Sequence, residues 1–236
     1  MTTDFKAISP NLAALHQRID TACAAAGRRP ERVVLLAVGK AQPVAALAAA
    51  ADAGQRDFAE NYVQEALPKI AALAGRGLVW HFIGPLQGNK AGDVAAHFDW
   101  AHAVDREKIA RRLSAQRAPA LAPLNVCVQV NISGEASKSG VAPADAPALC
   151  RAVAALPRLK LRGLMAIPAP AKKGDSPRHA YRRLRELLET LNREGLELDT
   201  LSAGMSDDFE AAIAEGSTMI RIGTALFGPR RKTPTA

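Results

Sequence analysis

A lysine standing directly after an apolar run is a candidate for covalent chemistry. Lys40 closes the segment Leu35-Leu36-Ala37-Val38-Gly39. An amine at the mouth of a buried strand is partly desolvated, which favours the neutral nucleophile that Schiff-base formation needs. Taken alone, such a lysine is more often a solvated strand end, but two later segments shift that weighting. Ser206-Asp207-Asp208-Phe209-Glu210 has the pattern of a helix start with Asp207 and Glu210 as a capping box, and free N–H groups at a helix start hold phosphate. Arg221-Ile222-Gly223-Thr224 adds a glycine that permits close backbone approach and a hydroxyl beside it. Capping explains Asp207 and Glu210; it does not explain the Gly223-Thr224 pair. Arg221, two residues earlier, is placed to point into the same mouth and donate to a ring nitrogen of a bound cofactor. A permanently charged donor disfavours protonation of that nitrogen, so the ring is held but weakly activated as an electron sink. The competing reading of Arg221 is a buried arginine paired with a carboxylate.

These residues need elements to position them. Eight short apolar runs read as buried parallel strands: 33–38, 56–59, 79–83, 100–104, 126–132, 161–167, 200–203 and 219–222. Helical segments fill the gaps. One runs from Pro43 to Gly54 with Val44, Leu47 and Ala51 on one face; another spans Tyr62 to Leu73 with Val63, Leu67 and Ile70 facing inward. A third, Arg178–Arg193, carries Leu184, Leu187, Leu188 and Leu191 at helical period. An extra helix precedes the first strand, with Ser9 as N-cap, Pro10 at its first position, Leu12, Leu15 and Ile19 as its stripe and Gly27 at its end. Strand-helix alternation predicts parallel β/α architecture, and eight units predict a single (β/α)8 barrel of TIM type over residues 1–236. An open doubly wound sheet is the rival, yet Val38-Gly39-Lys40-Ala41 holds one glycine where a dinucleotide fingerprint needs three. In a barrel the reactive face lies at the strand C-termini. That rule gathers Lys40, Asn61, Met205, Ser206, Gly223 and Thr224 at one end.

Composition narrows the function classes. At 236 residues and 48% hydrophobic, the chain suits one barrel, which takes about 250 residues. Cys23, Cys127 and Cys150 lack metal-ligand spacing and are odd in number, which fits a reducing compartment. The histidines form no metal pattern; His97 and His102 do not share a helix face. No signal-type core and no run of ~18 apolar residues occurs, so a soluble cytoplasmic protein is expected. The formal charge is +8. Because Arg182, Arg183 and Arg185 sit beside Glu186 and Glu189, with Arg182–Glu186 and Arg185–Glu189 at i,i+4 spacing, the charge reads as a solvated surface. Neither a nucleic-acid partner nor a membrane partner is expected, a monomer is, and the basic tail at 229–236 is expected to be disordered.

Seven motifs, in order along most of the chain, resemble the pyridoxal 5′-phosphate (PLP) homeostasis proteins, the YggS/PROSC family. They are Ala37-Val38-Gly39-Lys40, Glu60-Asn61-Tyr62-Val63-Gln64-Glu65, Trp80 to Gln87 with Asn89-Lys90 after it, Ser137-Lys138-Ser139-Gly140, Arg162 to Pro168, Gly204 to Asp208 and Arg221 to Gly228. The resemblance implies a barrel like the alanine racemase N-terminal domain, standing alone. It implies that Lys40 carries PLP, that Ser206, Gly223 and Thr224 hold its phosphate, that Arg221 faces the pyridine nitrogen, and that Asn61 and Met205 lie close by. Lys138 falls in a lysine-bearing loop whose role is carried over less firmly. Gly39 departs from the small hydroxyl residue that many members have before the lysine. The implied function is carrying and buffering PLP, with transient contacts to PLP-dependent apo-enzymes and no turnover. The alternative is a PLP-dependent racemase or lyase of fold type III. No second domain is expected to supply the tyrosine base of a racemase, and neither Tyr62 nor Tyr181 sits where that base would come from.

Overall fold

In the computed structural model, which describes residues 5–135, 138–169, 176 and 178–228, eight parallel strands close into a barrel in chain order. They are β1 (Val34–Val38), β2 (Asp57–Glu60), β3 (Val79–Phe82), β4 (Trp100–Val104), β5 (Leu124–Gln129), β6 (Leu159–Met165), β7 (Thr200–Met205) and β8 (Met219–Ile222). Closure is made by β1 against β8, with Leu36 opposite Arg221. Around them run α1 (Ile8–Ala25), α2 (Val44–Asp52), α3 (Val63–Ala72), α4 (Ala91–His97), α5 (Glu107–Gln116), α6 (Ala146–Ala154), α7 (Arg178–Arg193), α8 (Phe209–Ala214) and α9 (Thr224–Phe227).

All eight expected strands are present, with some ends moved. β5 stops at Gln129 although Val130 and Ile132 are buried, because apolarity reports burial rather than ladder pairing. β6 likewise ends at Met165, while β7 continues to Met205. The fold has two apolar layers. One lies between barrel and helices and includes Phe58, Phe82, Phe98 and Phe209. The other fills the barrel and includes Leu36, Ala59, Trp100, Cys127, Met165 and Met219, as strand alternation requires.

Three local expectations are corrected. Ser9 does not cap α1: the helix begins at Ile8 after Ala7 with no side-chain cap, because burial of Ile8 extends the apolar stripe back by a turn. On α7, Arg185 pairs with Glu189 at 2.7 Å as expected, but Arg182 turns from Glu186 to Glu215 at 3.1 Å, joining Arg178 at 2.7 Å. Glu215 is buried, and a buried carboxylate needs charged donors more than a solvated one does. The third correction concerns Asp207 and belongs to the site.

The three cysteines are free and buried. Among the described residues no group of His, Cys, Asp or Glu could hold a metal ion, and no helix is long and apolar enough to cross a membrane. The tail from Pro229, and Ser137 of the Lys138 loop, lie outside the described residues.

Candidate functional site

A cavity of about 360 Å³ opens at the C-terminal end of the strands. Lys40, Asn61, Met205, Ser206, Arg221, Gly223 and Thr224 all line it. Asp207, expected only as a helix cap, lines it too, as do Gln42, Ile167 and Gly228, which are not among the expected site residues. Apolar walls come from Val38, Ile83 and Ile167. Ile167 and Met205 remain 39% exposed, which is where large apolar side chains at a cavity mouth are left when nothing covers them.

The backbone around Lys40 is pinned at several points. Gly39 N–H donates to Ala59 O at 2.9 Å, and Gln42 N–H donates back to Gly39 O at 2.9 Å, closing a turn. Between them Ala41 is left-handed, with φ 59°, a conformation costing a non-glycine residue about 1–2 kcal/mol. Its N–H is held by Glu65 Oε2 at 3.0 Å. Beneath the turn, Lys69 Nζ donates to Gly39 O at 2.8 Å and to Glu60 Oε1 at 2.7 Å. Glu60 is fully buried, and its Oε2 has no partner among the described residues. Burial raises the Glu60 carboxyl above its usual range against the opposing pull of the Lys69 ammonium. This pair gives a physical reason for Gly39: a Cβ there would stand 2.5 Å from Glu60 Oε1 and 3.0 Å from a Leu47 methyl. The Lys40 amine itself lies 5.8 Å from the centroid of the exposed Tyr62 ring, within cation–π range.

Across the mouth, Arg221 is buried. Its Nη1 donates to Ser202 O at 2.7 Å and Ser202 Oγ at 3.0 Å, and its Nη2 to Ala166 O at 2.9 Å. Among the described residues it has no hydrogen-bonded carboxylate, so the reading of a buried arginine with an acidic partner is set aside. The capping box also fails: Asp208, not Asp207, precedes α8, and it makes no side-chain cap. Asp208 instead accepts Met205 N–H at 2.7 Å and the Tyr181 hydroxyl at 2.6 Å, which fixes the loop carrying Ser206. Glu210 is drawn away to Arg18 at 3.0 Å. On the neighbouring strand, α9 opens at Thr224, so the N–H groups of Thr224 and Ala225 fall outside its helical ladder.

Other features were not legible beforehand. A Cβ on Gly84 would meet Asn61 O at 2.0 Å, so the end of β3 approaches the Asn61 backbone as only glycine allows. On α3 the buried face is Val63, Ala66 and Lys69, with Leu67 and Ile70 half-buried; the signal was a lysine at helical spacing from Val63 and Ala66. Lys138 does not line the cavity and pairs with Glu135 at 3.0 Å.

Comparisons with known proteins show the family and the fold. Residues 11–231 match the family model described as alanine racemase, N-terminal domain. Over 223 residues the chain is 61% identical to a pyridoxal phosphate homeostasis protein of Pseudomonas aeruginosa, covering 94% of this chain and 96% of the relative. The chain belongs to the pyridoxal phosphate homeostasis protein family. A second member, from Escherichia coli, is 54% identical over 226 residues, covering 94% and 97% of the two chains. PipY of Synechococcus elongatus, solved with PLP bound, is 36% identical with a TM-score of 0.81 and covers 94% of this family member and 100% of PipY. Alanine racemase from Corynebacterium glutamicum, 18% identical with a TM-score of 0.69, shares the fold over 99% of this chain and 64% of its own.

Proposed function

We propose that this protein binds PLP in the strand-end cavity, holds it as a Schiff base on Lys40, and carries and buffers the cofactor in the cytoplasm without turning over a substrate. One observation carries the reading. The Arg221 guanidinium lines the cavity while buried among carbonyls and a hydroxyl, with no carboxylate hydrogen-bonded to it among the described residues. A buried cation in that state is completed by an acceptor from a ligand, and a pyridine nitrogen lone pair is such an acceptor. The remaining donors suit the rest of PLP. Lys40 Nζ condenses with the aldehyde, releasing one water. The hydroxyls of Ser206 and Thr224 and the N–H groups at the start of α9 suit a phosphate. Gly223 would keep the approach open, and Asn61 and Met205, which line the cavity, would border the ring. When bound, PLP supplies an electron-withdrawing ring, and Arg221 keeps its nitrogen unprotonated, which limits that withdrawal.

A racemase or lyase needs a second acid or base on the ring face away from the lysine. Of the two tyrosines, Tyr181 donates its hydroxyl to Asp208 and its pKa is pushed up by burial and by that carboxylate. The Tyr62 ring centroid lies 5.8 Å from the Lys40 amine, beside the residue that already serves as the first base. We therefore favour a carrier that acts as a monomer and meets apo-enzymes transiently. Visible absorbance before and after borohydride, with peptide mapping, should place the reduced label on Lys40, and Lys40→Ala should lose it. An equal yield of adduct from Lys40→Ala would remove the assignment. Exchange of amino-acid α-protons in deuterated buffer well above free PLP would establish the enzyme instead.

A further inference from the structure

Below the cavity, a line of polar side chains crosses the interior of the barrel. Arg221 Nη1 lies 3.0 Å from Ser202 Oγ, and Ser202 Oγ lies 2.9 Å from His102 Nδ1. His102 Nε2 is 3.0 Å from His81 Nδ1, and His81 Nε2 is 3.1 Å from Asp57 Oδ1. Arg221, Ser202, His102 and His81 are all buried. Asp57 opens β2 at the opposite end of the barrel, and its side chain is 28% exposed. The cavity mouth is thereby joined to the far end through side chains on five strands, β8, β7, β4, β3 and β2.

Donor and acceptor counting fixes the direction of the line. A carboxylate can only accept and a guanidinium can only donate, so with one hydrogen on each imidazole Ser202 Oγ accepts from Arg221 and passes its own hydrogen to His102 Nδ1. His102 then carries its proton on Nε2 and donates to His81 Nδ1. His81 carries its proton on Nε2 and donates to the Asp57 carboxylate. In this arrangement every member is satisfied. Burial, followed by the fields of His81 and Arg221, holds His102 well below its ordinary range. A proton added at His81 would force His102 to donate toward Ser202, which would then receive two donors and leave its own hydrogen without an acceptor. The line also stops at Arg221, which takes up no proton, so it transmits orientation rather than charge.

We propose that Ser202, His102, His81 and Asp57 are positioning residues for Arg221, fixing from the far end of the barrel the group that meets the cofactor's ring nitrogen. This rests on the PLP reading of the cavity. The test combines three measurements. Nitrogen NMR of the unliganded protein should show His81 and His102 as neutral Nε2–H tautomers. Spectroscopic PLP titration of His102→Leu and Asp57→Leu should show about tenfold weaker binding, the size of one lost charge-linked hydrogen bond, with a shifted bound-cofactor band. Asp57→Asn, whose amide oxygen still accepts from His81, should restore both. Borohydride should still fix PLP to Lys40 in every variant at saturating cofactor. A proton on Nδ1 of His102, or affinities and bands unchanged in both leucine variants while the Lys40 adduct forms, would overturn the positioning line alone. Absence of any adduct in the wild type would sink the cofactor reading and this inference with it.

Discussion

The buried ion pair under Lys40 allows a sharp prediction. Replacing Lys69 with methionine keeps the bulk of the side chain and removes its donors. Glu60 Oε1 is then orphaned, beside Glu60 Oε2, which already lacks a partner among the described residues, and the Gly39 carbonyl keeps only the Gln42 N–H. Breaking a buried pair by removing one member costs about 3–5 kcal/mol. Glu60 has one escape, which is to take up a proton. Burial already holds its carboxyl above the usual range, and Lys69 is what opposes that rise, so without Lys69 it climbs further. A carboxyl raised in the folded state binds its proton more readily folded than unfolded. The penalty is therefore absent below the unfolded value of about 4.3 and grows as pH rises toward the folded value. Urea unfolding should show Lys69→Met losing about 3 kcal/mol or more at pH 8 and at least about 1 kcal/mol less than that at pH 5. Adding Glu60→Leu should recover most of the loss, since the charge left stranded is gone. A loss under about 1 kcal/mol at pH 8, or one that does not change with pH, would refute the account of this pair.

Other consequences can be checked together. Arg221→Met should weaken PLP binding about tenfold or more in a spectroscopic titration while Lys40 still forms its adduct at high PLP; unchanged affinity would mean that Arg221 does not face the ring. Gly84→Ala forces a Cβ against the Asn61 carbonyl and should lower stability by about 1–3 kcal/mol, read by urea unfolding, with weaker PLP binding because Asn61 borders the cavity. For Glu215, burial raises the carboxyl, but hydrogen bonds from Arg182 and Arg178 outweigh it and leave the net value lowered. Its stabilising share is present above the unfolded value of about 4.3 and is lost as pH falls through the lower folded one. Glu215→Gln should accordingly flatten the acid side of the stability–pH profile, and an unaltered slope would contradict the pairing.

Much of the site was legible because barrels place chemistry at strand C-termini. Lys40, Asn61, Ser206 and Thr224 stand next to apolar runs in the sequence, and strand ends could be read from those runs within a few residues. Caps were read less well. Asp207 and Ser9 had the right residue types, but Asp208 is held by Met205 and Tyr181, and Ile8 is recruited to the core; such tertiary demands outrank local capping. Lys69 gave a weak signal, because a lysine on a helix is ordinarily solvated and its partners Glu60 and Gly39 lie 9 and 30 residues away.

By itself the sequence determined the alternation of buried strands and helices, since strands covered on both faces must be continuously apolar, and it supplied the amine, guanidinium and hydroxyls of the cavity. Tertiary structure alone decided that β1 meets β8, that Arg221 has no hydrogen-bonded carboxylate among the described residues, and that His102 touches a serine 100 residues away. Those facts depend on closure. A polar residue at an inward strand position looks like any other polar residue until the barrel closes and brings its partner across the interior.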